Sequence, residues 1–284
     1  MPPVIPRRAW RQSTNYQASA MGSTPGTSVP THASSNSTKG TATELIASLA
    51  HDVCELEIYI SNYGLATTSS KGMVDILIGS SLATVLIANL ISGFAGGSSV
   101  LGESGKCWRF PIWIPAGTRL GAQAAGERTG TNLRVGVRCY EAPPSGGMVA
   151  AKVVTYGVGT VPDATAVTAS NGGEGSWTQI TASTSEDHWG LLVGFQPPTD
   201  TSLTPNKQYL LDVGIGAATE ELLGGYEQGY LFRYGTGELC EGPLTGNGPI
   251  LAPIPSGSRL TARLATNGAA DAAAPQVALY CLSG

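Results

Sequence analysis

Four short blocks of this chain occur twice, in the same order. TELIASLAHDVCELEIYI (43–60) aligns with TQITASTSEDHWGLLVGF (178–195), and MVDILIG (73–79) with LLDVGIG (210–216). WIPAGTRLGA (113–122) aligns with PIPSGSRLTA (253–262), and VGVRCY (135–140) with VALYCL (277–282). Matched positions include Thr43/Thr178, Ala47/Ala182, Ser48/Ser183, Asp52/Asp187, Leu56/Leu191 and Cys139/Cys281. The offset drifts from 135 to 142 along the chain, as loop-length changes between equivalent strands would produce. This order constrains the fold more than any single motif, because it requires two copies of one unit. The boundaries read as an N-terminal arm over 1–24, a first domain over 25–142, and a linker plus second domain over 143–284.

Within the blocks, apolar residues alternate with period 2, the signal of half-buried strands. Leu56, Ile58 and Ile60 share a face with Cys54, while Glu55 and Glu57 share the other. Trp189, Leu191, Val193 and Phe195 form such a row, as do Leu133, Val135, Val137 and Cys139. Gly (38) and Pro (18) make up about a fifth of the 284 residues, which suits short strands and many turns rather than long helices. Strands are expected near 28–33, 43–49, 53–60, 73–79, 84–91, 107–115, 118–125 and 133–140, eight in one copy. The fold class is therefore all-β: two tandem jelly-roll-like antiparallel β-sandwich domains behind an extended arm. An immunoglobulin-like Greek key is the rival, since strand order is not legible. Ile-Pro-Ala-Gly reads as a type I turn with Pro second and Gly fourth. GVGTVPDATAV (157–167) reads as linker.

Charge separates the arm from the body. Residues 1–43 hold Arg7, Arg8, Arg11 and Lys39 and no acid, which leaves 12 basic and 20 acidic residues beyond, a balance of −8. Three arginines are too few for a nucleic-acid footprint. The arm is poor in large apolar residues and cannot form a core alone. Arg7, Arg8, Trp10 and Arg11 read as a docking segment for a neighbouring subunit or particle. No secretory signal is expected in MPPVIPRRAW, and the apolar run ATVLIANLISGF (83–94) is too short to span a bilayer. Five cysteines without C-x-x-C spacing read as reduced, buried thiols.

No pattern of catalytic, cofactor or metal residues stands out. Asp75 with Arg119, and Asp212 with Arg259, place one acid and one base in each copy and read as structural ion pairs. His32, His51 and His188 are isolated and read as surface or loop residues. Acid pairs that could serve glycoside hydrolysis (Glu186/Asp187, Glu220/Glu221, Glu238/Glu241) lie in polar loop-like stretches. YEQGYLFRY places Tyr226, Tyr230 and Tyr234 together, either as a glycan platform or as a subunit contact.

Three motifs carry a family resemblance: GSWTQITAS (175–183), LLDVGIG (210–216) and FPIWIPAGTR (110–119). Together they resemble a module of structural proteins in tailed-bacteriophage virions, over roughly 38–284. Copy one departs at Ala42, where copy two has Trp177, and GNGPILAPIPSGS lacks the aromatics that precede the first turn. The resemblance implies a non-enzymatic β-sandwich component of a virion, assembled in the host bacterial cytoplasm. A tail-tip, fibre or collar protein is the leading expectation; capsid decoration or a host-glycan-binding module pair is the alternative. Expected partners are other virion proteins, further copies in a trimer or ring, and a host surface glycan. Neither nucleic acid, membrane insertion nor a cofactor is expected.

Overall fold

The computed structural model describes residues 26–61, 70–94, 106–127, 129–141, 148–196, 207–216, 221–223, 230–235, 238–241, 249–268 and 274–284. These residues form strands, turns and loops and no helix, so the chain is all-β. The first copy contributes β1 (Thr27–Pro30), β2 (Thr43–Ile46), β3 (Glu55–Ser61), β4 (Ser70–Ile78), β5 (Thr84–Phe94), β6 (Lys106–Phe110), β7 (Leu120–Gly126) and β8 (Asn132–Tyr140). Each of the eight expected strands is present. They form two four-stranded sheets, ordered β1-β8-β3-β6 and β2-β7-β4-β5. Every pairing is antiparallel, and each sheet mixes strands from both ends of the copy, an order consistent with a jelly roll.

The second copy begins with β9 (Lys152–Tyr156), β10 (Val158–Thr160), β11 (Asp163–Ala166), β12 (Ala169–Asn171) and β13 (Thr178–Thr181). It continues with β14 (His188–Gln196), β15 (Lys207–Ile215), β16 (Glu221–Leu222), β17 (Tyr230–Gly235) and β18 (Glu238–Glu241). It closes with β19 (Ile250–Ile254), β20 (Leu260–Thr266) and β21 (Gln276–Ser283). Its registers repeat those of copy one. Leu56 faces Cys139, and Leu191 faces Cys281. Asp75 faces Gln123, and Asp212 faces Arg263. The pairings β2–β7 and β13–β20 even share an irregularity, between Glu44/Ile46 and Gln179/Thr181. The stretch read as linker, 157–167, instead builds the β10–β11 hairpin, and β11 extends a sheet through β21.

The repeated Ile-Pro phrase is a corner that carries the chain from one sheet to the other, from β6 to β7 and from β19 to β20, and its turn is one residue out of phase with the expected type I turn. Thr118 N–H donates to Pro115 O (3.3 Å), and Ser258 N–H to Pro255 O (3.2 Å). Pro is thus first, and Gly117 and Gly257 stand third with φ of 77° and 83°. Left-handed φ at the third position defines a type II turn, which is why glycine recurs there. The matched acids Asp52 and Asp187 fasten the corner from outside: each accepts a backbone N–H at 2.7 Å, from Ala116 and Ser256.

Candidate functional site

The alternation of β14 and β21 sends side chains to both faces of their sheet. Leu191, Val193, Phe195, Val277, Leu279 and Cys281 fill the second copy's own core. The opposite row, Leu192, Ala278, Tyr280 and Leu282, joins the core of the first copy. Almost every residue of both strands is therefore buried, and the two copies share a continuous apolar contact. Burying each Leu there contributes roughly 1.5–3 kcal/mol.

Tyr280 is the centre of this contact. Its hydroxyl accepts from Ile91 N–H (2.7 Å) and donates to Asn89 O (3.1 Å), capping the edge of β5. Its ring meets Trp108 and Phe110 edge-on, with centroids at 6.5 and 6.0 Å. Burial pushes the phenol far above its ordinary value, so it stays a donor. Gly194 is required by the close approach, because a Cβ there would lie 2.8 Å from the Tyr280 hydroxyl and 2.9 Å from Ile91 Cγ1. Polar ties flank the apolar centre. Thr155 Oγ1 donates to Ala88 O (2.6 Å), and Lys71 Nζ donates to Asp163 Oδ1 (2.7 Å). Burial raises the Asp163 carboxyl, but the bonds from Lys71 and Gln276 outweigh it and hold it below the usual value.

The corresponding face of the first copy has a different chemistry. Glu57 stands where Leu192 does, Arg138 where Tyr280 does and Tyr140 where Leu282 does. Glu55 and Glu57 are 2% and 3% exposed despite lying on an outer face. Tyr140 donates to Glu57 (2.7 Å), and Arg109 and Arg138 approach it at 3.2 and 3.5 Å. Buried acids need such partners, because an uncompensated charge is costly.

The structure corrects the expected ion pairs. Arg119 pairs with Glu44 (2.6 Å) and donates to Ser80 O; Arg259 donates to Gln179 (3.1 Å) and Gly216 O. Neither reaches its expected partner, because Asp75 and Asp212 lie opposite Gln123 and Arg263, four residues farther along the strand. Four residues span about 13 Å in a strand. Asp75 instead binds Lys39, Gln123 Nε2 (2.8 Å) and Asn89 N–H (2.7 Å). Asp212 binds Arg263 (2.9 Å), which also meets Glu174 and lies 4.4 Å from the Trp177 ring. Lys39 and Glu174 are equivalent at the offset of 135, as are Gln123 and Arg263 at 140, so the cation sits in the loop before β2 in copy one and on β20 in copy two.

Other candidates disperse. His32 accepts backbone N–H groups from Ser34 and Ser35, and His51 is exposed. His188, expected on the surface, is instead buried in β14 at Val53's position, 3.1 Å from the Tyr156 hydroxyl. Burial holds its imidazole below the ordinary value. Glu186 pairs with Lys152 and Ser283. Cys139 and Cys281 are buried as expected, their thiols pushed up to about 12 by burial. Among the described residues no three His, Cys, Asp or Glu side chains gather as a metal site. Arg7, Arg8, Trp10, Arg11, Tyr226 and Glu220 lie outside the described residues. Tyr230 and Tyr234 lie in β17, opposite Leu211 and Lys207. No family model matches the chain, and no curated protein matches it in sequence.

Proposed function

We propose that the chain is a structural subunit of a tailed-phage virion, a tail-tip, fibre or collar protein that self-associates and docks by its N-terminal arm. The observation that carries this reading is the contact between the copies. One sandwich offers a face and the other an opening between sheet edges, and the union is apolar, closely packed and hydrogen-bonded at Tyr280. Such a contact is heterologous, because face and opening differ. A duplicated chain whose lobes already join this way suits a scaffold built from repeated lobes. Three two-lobed chains would make a six-lobed ring.

Incorporation tests this directly. Tagged full-length chain, supplied to cells producing the phage, is expected to co-purify with intact particles through a density gradient. Chain lacking residues 1–24 is expected to stay at the top. Absence of the full-length chain from particles overturns the reading.

A further inference from the structure

The segment that leads into the second copy does more than connect. Ala150 N–H donates to Pro111 O (2.7 Å), Trp113 N–H donates to Ala150 O (3.0 Å), and Ile112 pairs with Ala150 in parallel. Residues beside Ala150 thus run along the continuation of β6 and cover that sheet edge. In the second copy the same line is β19, where Leu251, Ala252 and Pro253 stand for Pro111, Ile112 and Trp113. Pro111 is buried, yet Leu251 is 62% exposed. Phe110 is fully buried, whereas its counterpart Ile250 is only partly buried against the second core. Among the described residues β19 pairs only with β14, which leaves its other side as a sheet edge lined by an apolar side chain.

The segment that leads into the first copy is the arm. Thr27 and Thr165 face the equivalent residues Val135 and Val277, which sets the local offset at 138. At that offset Ala150 corresponds to Gln12, and Met148 to Trp10. The docking residues of the arm thus fall where the covering segment falls in copy two. We infer that residues 8–14 of a second copy lie along the outer side of β19, as 148–151 lie along 111–113, with Gln12 beside Ala252, Arg11 beside Leu251 and Trp10 beside Ile250. This rests on the reading of the arm as a docking element and names its partner as another copy of this chain.

The chemistry fits a short added strand. Pro253 has no N–H, so the bond that Trp113 makes has no counterpart; the Leu251 carbonyl remains to accept one from the arm. Trp10 supplies the apolar area that one hydrogen bond does not. Arg8 and Arg11 flank it in the sequence. Each chain then binds the next head to tail, closing into a ring where the rotation allows.

Cross-linking tests the geometry. A photoreactive amino acid placed at position 251, in an equal mixture of isotopically light and heavy chains, is expected to link to peptides from residues 7–14. About half of those links should join a light chain to a heavy one. No link to the arm, or links within one chain only, overturns the inference. Leu251→Arg supplies a second arm, since an exposed side chain can change without unfolding the sandwich. It should dissociate the oligomer at unchanged melting temperature. It should also weaken binding of a peptide of residues 1–16 to arm-deleted chain at least tenfold. An intact Leu251→Arg oligomer overturns the inference while arm-dependent particle incorporation would still stand. Self-association through Leu251 without incorporation would support the inference and overturn the virion reading.

Discussion

At the scale of single residues, the contact between the copies depends on Tyr280. Tyr280→Phe keeps the ring packing and leaves Ile91 N–H buried without its acceptor. We expect a loss of about 1–3 kcal/mol in urea unfolding; an unchanged midpoint would show that water replaces the hydroxyl. The displaced cation gives a second prediction. Lys39→Glu alone puts a second acid beside Asp75 and should destabilise the first copy. Adding Gln123→Arg recreates the arrangement of Glu174, Asp212 and Arg263 and should recover part of the loss. A double-mutant cycle should give a favourable coupling of about 0.5–3 kcal/mol, and additivity would contradict it. Neither site was legible in the sequence. Alternation placed Tyr280 on a strand but said nothing of what lay against its outer face. The Asp75/Arg119 and Asp212/Arg259 pairs were argued from residue type and closeness to a turn, and strand register decided otherwise. The Lys39/Glu174 exchange could have been found by extending the first repeat block four residues towards the N-terminus.

At the scale of elements, the corners are where sequence and structure agree best in position. Period-2 alternation located the strands because one face of each is buried. The duplication located the corners because a left-handed third residue demands glycine in both copies. Phase was lost by one residue, since Pro fits two places in a turn. The β10–β11 hairpin was missed because its Gly- and Pro-containing sequence resembles a connector, and pairing with β21 makes it a sheet edge. Asp52 and Asp187 each hold a corner through one charge-assisted bond. Asp52→Ala and Asp187→Ala should each cost about 1.5–3 kcal/mol. Because the corners are in different copies, the double variant should equal the sum within about 0.5 kcal/mol in denaturant titrations. A markedly smaller sum would mean that the corners communicate through the shared core.

At the scale of the whole molecule, the lobes should loosen in acid in two steps. His188 has its folded value below the unfolded 6.5, so the unfolded chain binds the extra proton first. Stability is full above 6.5 and falls as pH drops from there towards the folded value. Asp163, folded below 3.8, keeps the Lys71 tie above that value and loses it as pH falls through its folded value. His188→Val, which restores the residue of copy one, should flatten the upper step. Asp163→Asn should remove the lower one. Unaltered pH profiles of melting temperature in these variants would contradict the assignment. These ties make the two lobes one unit, and such units are proposed to join onward through the arm. Native mass spectrometry of the full chain and of chain lacking residues 1–24 decides this. A closed oligomer, three chains being the expected ring, that falls to monomer without the arm is the result predicted. A full-length chain that stays monomeric at micromolar concentration would contradict it.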